Sequence, residues 1–338
     1  MTVVMRAVEI VSPGGPEVLR LTTRARSRPG PGEVLVRVAA AGVNRPDVTQ
    51  RLGLYPPPAG ASDLPGLDVA GLVEEVGPGV TWPAKDMAVC ALVTGGGYAE
   101  WCVVPAPQCL PVPRGLSFVA AAGLPEVFFT TWNSLVWRGV LAEGERLLVQ
   151  GGASGVGLAA LQVARQVVRA RVAATCGGEA KRQVALEHGA EAVFDYRSVW
   201  MEEARAWTGG AGFDVIMDAQ AGPTTDPQLG LLDVNGRLVL LATHQGVLSE
   251  VNCRNIVRRS LTLTGTTLRA RSVEHKGRIA AALRDRVWPL LESGMIRMPV
   301  CATFPLAAAA DAHRMLDANA QIGKVVLVVD QDLAGTPP

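Results

Sequence analysis

The sequence has little net charge, few aromatic residues and few histidines. Its 338 residues carry a formal net charge of +1, aromatic residues make up 5%, and there are 4 histidines. Proteins that bind nucleic acid usually present a basic patch, so the neutral balance argues against a nucleic-acid partner. Charged residues at 19% and hydrophobic residues at 49% are the mixture of an ordinary globular protein rather than of a disordered chain.

Long hydrophobic runs and paired cysteines are also missing. Glycine, proline or charged residues interrupt every apolar stretch before a membrane-spanning length, and MTVVMRAVEI at the amino terminus lacks the apolar core of a signal peptide. The cysteines form no C-x-x-C pair and stand at Cys90, Cys102, Cys109, Cys176, Cys253 and Cys301. We expect them to be reduced and mostly buried in a cytoplasmic protein that has no membrane segment.

The pattern of the sequence changes near residue 125. Before it, short β-like segments such as EVLVRVAAAGVN are separated by glycine and proline turns, with one short helix candidate in RPDVTQRLG. From Arg146, strands and helices alternate, beginning with RLLVQG and GVGLAALQVARQVV. This alternation is typical of a parallel sheet covered on both faces, and its six strands predict a doubly wound α/β domain.

The order of these segments predicts two domains. A β-rich domain covers residues 1–125 and 300–338, because the last helix and the strand KVVLVV come after the six-stranded unit is complete. The doubly wound domain covers residues 126–299. Its last strand, within SLTLTGTTL, is an apolar edge that a monomer would have to protect. We therefore expect a homodimer that pairs this edge, with a tetramer left open.

A glycine-rich turn follows the first buried strand and opens a helix, in VQGGASGVGLAALQVA. This is the context of a dinucleotide site, where amides at the start of the helix face the pyrophosphate. Gly152 is predicted to allow the tight turn, and Gly157 to let the helix pack on the strand. The candidate cofactor-binding residues of this turn are Gly152, Ser154, Gly155, Val156 and Gly157.

The end of the second strand distinguishes the two nicotinamide cofactors. An NAD site has an acid there, about 20 residues past the glycines, which bonds the ribose hydroxyls. Here the strand ends in Thr175, Cys176, Gly177 and Gly178, without a carboxylate. These small residues leave room for a 2′-phosphate, and Lys181 on the next helix either binds that phosphate or is a solvated helix residue. The sequence favours NADPH.

Ordered motifs in both domains resemble a known family. The motifs similar to those of the zinc-independent quinone oxidoreductases of the medium-chain dehydrogenase/reductase superfamily are PGGPEVL, NRPDVTQRLGLYPPPAGAS, GLDVAGLVEEVGPGV, GASGVGLAALQVAR and IGKVVLVV. RLGLYPPPAGAS and LPEVFFTTW most resemble the branch of the tumour-suppressor-induced quinone oxidoreductase of animals, which is related to zeta-crystallin. The resemblance implies a GroES-like substrate domain and a Rossmann domain, with the nicotinamide in the cleft between them.

The resemblance also implies which residues lie near the substrate. Asn44 and Tyr55 are expected to face the reacting centre, and Asp47 to support that loop. The residues themselves leave another interpretation open, in which Asn44 caps a turn and Tyr55 packs on Pro56–Pro58.

For the cofactor, the resemblance implies a second set of residues. Lys181 and Tyr196 match the family positions that hold the 2′-phosphate, and Gly178 replaces a serine that is common there. Gln220 stands where the family usually has an apolar residue. The other positions implied near the cofactor are Thr130, His244, Gln245, Leu268, Arg269 and Lys324.

The segment GLDVAG explains why no metal is expected. Zinc alcohol dehydrogenases of the superfamily carry Gly-His-Glu where this chain has Gly66, Leu67 and Asp68, and leucine cannot bind a metal. Asp68 is therefore predicted to be a structural hydrogen-bonding residue. A quinone or an α,β-unsaturated carbonyl accepts hydride without a metal. Neutral donors such as the Asn44 amide and the Tyr55 hydroxyl suit the negative charge that arrives on its oxygen.

Together these patterns predict an NADPH-dependent, metal-independent oxidoreductase that transfers hydride to a small quinone or α,β-unsaturated carbonyl. Two alternatives stay open. One is an enoyl-thioester or 2-alkenal reductase, and the other is a non-enzymatic NADPH-binding structural or RNA-associated protein of the crystallin type. A screen of acceptors with NADPH separates the three.

Overall fold

The computed structural model describes residues 3–335, which fall into two units by the contacts among them. The first unit contains the described residues up to Phe129, Arg269–Gly294 and those from Met298 on, and the second contains Thr130–Leu268 and Met295–Arg297. The domain bounds expected from the sequence differ from this division mainly at Arg269–Gly294, which they place in the second domain.

The strands form where apolar residues alternate or run together between glycine and proline breaks. Alternate residues are exposed where one face of a strand is solvated, and the central residues are all buried where both faces are covered. In chain order the strands are β1 (Val4–Ile10), β2 (Leu19–Ala25), β3 (Glu33–Val43), β4 (Asp68–Val76), β5 (Ala88–Leu92), β6 (Trp101–Pro105), β7 (Cys109–Pro111), β8 (Arg146–Gln150), β9 (Arg171–Cys176), β10 (Ala192–Asp195), β11 (Phe213–Asp218), β12 (Leu232–Leu240), β13 (Thr262–Gly265), β14 (Val300–Pro305) and β15 (Lys324–Val328).

The helices are short, and no helix within residues 3–335 is long and apolar enough to cross a membrane. They are α1 (Arg45–Arg51), α2 (Phe118–Ala122), α3 (Pro125–Thr131), α4 (Gly155–Gln162), α5 (Glu179–Glu187), α6 (Trp200–Trp207), α7 (Thr225–Leu231), α8 (Cys253–Arg259), α9 (Val273–Arg286), α10 (Trp288–Glu292), α11 (Ala309–Asp317) and α12 (Gln331–Ala334). π-helical segments continue α3 over Trp132–Arg138 and α4 over Val163–Val168. The sequence predicts one long helix over EHKGRIAAALRDRVWPLLESG, but it breaks at Val287 into α9 and α10, because Pro289 has no N–H to donate to the preceding turn.

The main sheet of the first unit has the strand order β14-β15-β3-β4-β5-β7, with β6 also pairing with β3. β1 and β2 form a separate antiparallel hairpin. β15 runs antiparallel to β3, with Val325 opposite Val43, so the carboxyl-terminal strand returns to this sheet as the sequence predicts. Buried valines such as Val36, Val69 and Val325 form the core that the sheet encloses.

The sheet of the second unit has the order β10-β9-β8-β11-β12-β13, and every neighbouring pair is parallel. Numbered within the unit, this is the doubly wound order 3-2-1-4-5-6. The predicted α/β fold class with a six-stranded parallel sheet is confirmed. The direction of winding reverses between β8 and β11, and ligands of such sheets bind beyond the carboxyl ends of the strands at this point. The chain segments that follow β8, β9 and β11 therefore form the candidate nucleotide site.

Candidate functional site

The glycine turn after β8 is held by backbone contacts. Gly151 has φ +76°, and its N–H donates to the Thr175 hydroxyl over 3.2 Å. A methyl group at Gly152 would lie 2.6 Å from Cβ of Ala174 on β9, so this position must stay small for the turn to rest on the sheet. The sequence assigns the tight turn to Gly152, whereas the positive φ belongs to its neighbour Gly151, which sequence reasoning missed. Two adjacent glycines give no signal for which one adopts it.

Ser154 and Gly157 prepare the first turn of α4 for an anion. The Ser154 hydroxyl accepts from the Gly157 N–H at 3.0 Å and donates to the Gly151 carbonyl at 2.8 Å. A methyl group at Gly157 would overlap that same carbonyl, so only glycine allows this close approach. Gly155 and Val156 begin the helix, where free backbone amides and the helix dipole favour a phosphate.

Two of the predicted phosphate ligands flank the glycine pair that ends β9. Gly178 has φ +87° and ψ 154°, a conformation that is essentially restricted to glycine, which explains why serine is absent here. The Tyr196 hydroxyl occupies the position that a Cβ of Gly177 would take. Lys181 lies on α5, and partial burial lowers the pKa of its ammonium group. The end of β9 thus offers a hydroxyl and an ammonium group and carries no carboxylate.

Arg197 was not identified from the sequence, although it follows β10 directly after Tyr196. Its Nε donates to Asp195 Oδ1 over 2.9 Å, and one terminal nitrogen lies 3.9 Å from where a Cβ of Gly178 would stand. Hydrogen bonds from Arg197 hold the pKa of Asp195 well below its usual range, so this acid is ionised and paired with Arg197. A basic residue just after the third strand is the signal that could have found it.

The other predicted cofactor residues of the second unit lie on three segments. Thr130 precedes the π-helical segment, and its carbonyl accepts from the Ser134 hydroxyl at 2.6 Å. His244 and Gln245 are exposed, and their backbone N–H groups donate to the loop that follows β11. Leu268 is half-buried at the end of the second unit.

In the first unit, Asn44, Asp68 and Lys324 form a buried polar group. The Asn44 amide donates to Asp68 Oδ1 at 2.8 Å, and its carbonyl oxygen accepts from the Lys324 ammonium. Lys324 also lies 3.4 Å from Asp68 Oδ2, with the two side chains 2% and 0% exposed. Asp68 is buried and hydrogen-bonded, as a structural role predicts. The Asn44 amide is held in one orientation and keeps one N–H for a further acceptor.

Asp47 supports this loop from inside the unit. Its carboxylate accepts from the Asn44 N–H at 2.9 Å, the Gly66 N–H at 3.1 Å and the Tyr98 hydroxyl at 3.3 Å. Asn44 is the N-cap of α1 and Asp47 its third residue, so the first of these bonds belongs to a capping box. Burial, reinforced by the charge of Asp68, raises the pKa of Asp47 to about 7 despite the N–H donors.

Tyr98 and His313 extend the same network and were not identified as linked from the sequence. The Tyr98 hydroxyl lies 3.1 Å from His313 Nε2, and Arg51 Nη1 lies 3.5 Å from Nδ1. Burial, and then the Arg51 charge, lowers the pKa of His313 to about 3, so the imidazole is neutral near pH 7. Because arginine only donates, Nδ1 accepts, Nε2–H donates to Tyr98, and the Tyr98 hydroxyl donates to the Asp47 carboxyl group. The contact joins residues 215 positions apart, a separation for which the sequence has no signal.

Tyr55 lies half-buried in the loop after α1, against the side chain of Arg269. Arg269 Nη1 donates to the Tyr55 carbonyl at 3.0 Å, and the guanidinium carbon lies 5.2 Å from the centre of the tyrosine ring. Arg269 is only 6% exposed, and burial lowers its pKa. The structure therefore places Arg269, implied by the resemblance to lie near the cofactor, against the loop that follows α1 in the first unit.

The residues that could bind a metal are dispersed. Leu67 is buried where the zinc enzymes have histidine, and within residues 3–335 no group of three or more His, Cys, Asp or Glu side chains could hold a metal ion. Burial also raises the pKa of Cys102 and Cys109 to about 12, which keeps these thiols protonated.

Family models match both units. A model described as an alcohol dehydrogenase GroES-like domain matches residues 30–114, and one described as a zinc-binding dehydrogenase matches residues 155–283. A quinone oxidoreductase of Lama guanicoe is 34% identical over 329 residues, which cover 96% of this chain and 98% of the relative. The chain therefore belongs to the medium-chain dehydrogenase/reductase superfamily of oxidoreductases, with quinone oxidoreductases among its homologues.

Solved structures agree with this family. The Escherichia coli quinone oxidoreductase, solved in complex with NADPH, is 29% identical with a TM-score of 0.85, covering 96% of this chain and 100% of that one. A mycobacterial protein, also solved with NADPH, is 32% identical with a TM-score of 0.84 at the same coverage.

Proposed function

We propose that the protein is an NADPH-dependent oxidoreductase that transfers hydride to a quinone or an α,β-unsaturated carbonyl without a metal. The observation that carries the proposal is the end of β9, where Thr175–Gly178 include no acidic residue and Lys181 and Tyr196 follow on the neighbouring segments. Quinone oxidoreductase homologues, and relatives solved with NADPH, support it. NADPH, when bound, supplies the hydride.

The second unit binds the cofactor in this proposal. The amides that open α4 take the pyrophosphate, because the helix start offers unpaired N–H groups and positive dipole. Lys181 and Tyr196 take the 2′-phosphate, which an acid at the same place would repel. Selectivity for NADPH over NADH then follows from the missing carboxylate.

The first unit binds and polarises the acceptor. Tyr55 is the more accessible donor, since Asn44 is only 5% exposed. Negative charge arriving on the acceptor oxygen is stabilised by the Tyr55 hydroxyl and by the remaining Asn44 N–H. Lys324 and Asp68 already hold the Asn44 amide, so it needs no reorganisation during the reaction.

Metal independence follows from the kind of acceptor. Zinc is needed to remove the proton of an alcohol or to polarise an unactivated carbonyl, and Leu67 offers no ligand for it. A quinone or enone is already electron-poor, so neutral hydrogen-bond donors are sufficient. Enoyl thioesters and 2-alkenals share this property, which keeps them as the alternative substrate class.

A homodimer and a cytoplasmic location complete the proposal. β13 is the edge strand of the second sheet, and its residue Leu263 is 38% exposed, which suits pairing with a second copy across a two-fold axis. Scattered, unpaired cysteines suit a reducing compartment.

The experiment is NADPH oxidation followed at its absorbance band with quinones, enones, 2-alkenals and an enoyl thioester. We expect turnover of quinones or enones, and a loss of roughly 100-fold in kcat/KM when Tyr55→Phe and Asn44→Ala are combined, in the range that one or two oxyanion donors provide. Unchanged turnover in the double variant would contradict the assigned roles. Tight NADPH binding without turnover of any acceptor would favour the structural, crystallin-type alternative.

A further inference from the structure

The Arg269 side chain joins three separate segments of the first unit. Its Nε donates to the Thr94 carbonyl at 2.8 Å, Nη1 to the Tyr55 carbonyl at 3.0 Å, and Nη2 to Gln50 Oε1 at 2.7 Å. Thr94 opens the glycine turn after β5, Gln50 lies near the end of α1, and Tyr55 lies in the following loop. All three nitrogens of the guanidinium therefore donate to protein oxygens of this unit.

The guanidinium also contacts the Tyr55 ring itself. Its central carbon lies 5.2 Å from the ring centre, within the range of a cation–π interaction. One side chain thus fixes Tyr55 at two points, through the backbone carbonyl and through the aromatic face. A loop held at both points has little freedom to turn the tyrosine hydroxyl away.

Lys276 on α9 supports this arrangement through two further hydrogen bonds. Its ammonium lies 3.2 Å from the Thr94 hydroxyl and 3.4 Å from the Arg269 carbonyl, and the residue is 2% exposed. Arg269 and Lys276 therefore both donate to Thr94, Arg269 to its backbone carbonyl and Lys276 to its side-chain hydroxyl. Within residues 3–335 neither cation has a carboxylate at ion-pair distance, so the oxygens to which they donate directly are all uncharged.

Burying two cations without a carboxylate is costly, and an apolar residue would fill the same space at lower cost. A planar fork of donors is, however, the group that can hold three carbonyl or amide oxygens in fixed directions. The free-energy cost of burying this cation is thus explained by its planar set of donors, which only arginine provides.

We infer that Arg269, backed by Lys276, is a positioning residue that holds Tyr55 in the orientation required to donate to the acceptor. The effect of Arg269 on catalysis rests on the proposed function, whereas its effect on the position of Tyr55 does not. It also differs from the cofactor contact implied by family resemblance, because the guanidinium donors are engaged within the substrate-binding unit.

The test compares Arg269→Lys with Arg271→Lys, a matched change at an exposed arginine two residues away. Lysine keeps the charge but cannot reach three acceptors at once. We expect Arg269→Lys to lower kcat for the quinone by about tenfold while the Kd for NADPH, measured by fluorescence, stays within about twofold. In a Tyr55→Ala background the same change should cost less than about twofold, because the residue through which Arg269 acts is gone. Arg271→Lys should leave each quantity unchanged.

Hydrogen exchange gives a readout that does not depend on turnover. Arg269→Lys should speed amide exchange in residues 52–58 and 94–96 and leave the glycine turn of the second unit unaffected. Lys276→Met should cause a smaller change of the same kind, and it provides the test if Arg269→Lys does not fold.

The outcomes separate this inference from the proposed function. If Arg269→Lys speeds exchange in these loops but the wild-type protein turns over no acceptor, the positioning role of Arg269 is supported and the proposed function is contradicted. Weaker NADPH binding with unchanged loop exchange would overturn the inference and make Arg269 a cofactor ligand. Equal losses from Arg269→Lys with Tyr55 present or absent would overturn it as well.

Discussion

The two units position their functional residues by opposite means. In the second unit, a run of seven neighbouring residues, Gly151–Gly157, provides backbone amides and has no room for a side chain at Gly152 and Gly157. In the first unit, Asn44, Asp68 and Lys324 come from distant parts of the chain and meet only after the sheet has formed. The first kind of site is sensitive to an added methyl group, and the second to a removed charge.

The largest effect is expected from breaking the buried pair of the first unit. Lys324→Met leaves the Asp68 carboxylate buried without its cation, which should lower the free energy of unfolding by about 3–5 kcal/mol. Urea denaturation measures the loss. The exposed pair Arg114–Glu292 provides the control, since Arg114→Met should cost less than about 1 kcal/mol. Adding Asp68→Asn to Lys324→Met should recover part of the loss, and no recovery would argue against an unpaired charge as the cause.

The corresponding change in the second unit adds a methyl group. Gly157→Ala forces the start of α4 away from the Gly151 carbonyl and should weaken NADPH binding by roughly 100-fold, about 2.7 kcal/mol. Calorimetric titration measures the affinity. Gly230→Ala on α7 is the matched control, because the nearest atom to its added methyl group lies 3.6 Å away. Equal NADPH affinities in the two variants would show that the close approach to the Gly151 carbonyl is not the reason for glycine at residue 157.

The two units should also respond to pH with opposite signs. Burial raises the pKa of Asp47 to about 7, so between pH 4 and 7 the folded state holds a proton that the unfolded state releases. The stability that Asp47 contributes is present below its unfolded pKa and is lost as pH rises through this window. Asp47→Asn should therefore flatten the decline of stability with rising pH by about 1 kcal/mol per pH unit.

Asp214 in the second unit provides the contrast. Burial opposes its ionisation, but hydrogen bonds from Arg146 lower the pKa of Asp214. Its contribution is present above the unfolded pKa and is lost as pH falls through the folded value. Asp214→Asn should thus flatten the acid side of the profile. Thermal unfolding followed at several pH values measures both variants, and slopes of the same sign would contradict the assignments.

The smallest effect is expected at the 2′-phosphate position. Lys181→Ala should weaken NADPH binding by about fivefold, close to 1 kcal/mol, because the ammonium is partly exposed and Tyr196 remains. NADH affinity should not change. A parallel loss for both cofactors would place Lys181 away from the phosphate.

The second unit could be predicted from sequence more fully than the first. Six strands in alternation with helices, and the glycine run after the first of them, are local patterns that the structure reproduces. The break between α9 and α10 is also a local effect, caused by Pro289. It was missed because the apolar residues keep their helical spacing across the break. The domain bounds and individual site roles were expectations that sequence periodicity alone could not decide.

The contacts of the first unit lie beyond local pattern. Arg269 reaches Thr94, Tyr55 and Gln50 across 175, 214 and 219 positions, and nothing in those residue types announces the pairing. His313 looks like a packing residue in an alanine-rich helix until Tyr98 is seen beside it. Such partners are set by how the sheet brings strands together, so they emerge only with the tertiary structure.

The backbone conformation of Gly178 has a consequence for altering cofactor preference. The usual route to an NAD enzyme is an acid at the end of the second strand, but φ +87° with ψ 154° excludes the side chain of aspartate or glutamate at this residue. At the preceding residue, Gly177, a new side chain would meet the Tyr196 hydroxyl. Conversion therefore requires at least two coordinated changes, the acid at residue 177 and a smaller residue at 196. No single substitution at residue 177 or 178 would convert the preference for NADPH into one for NADH. A laboratory selection would have to introduce both changes together.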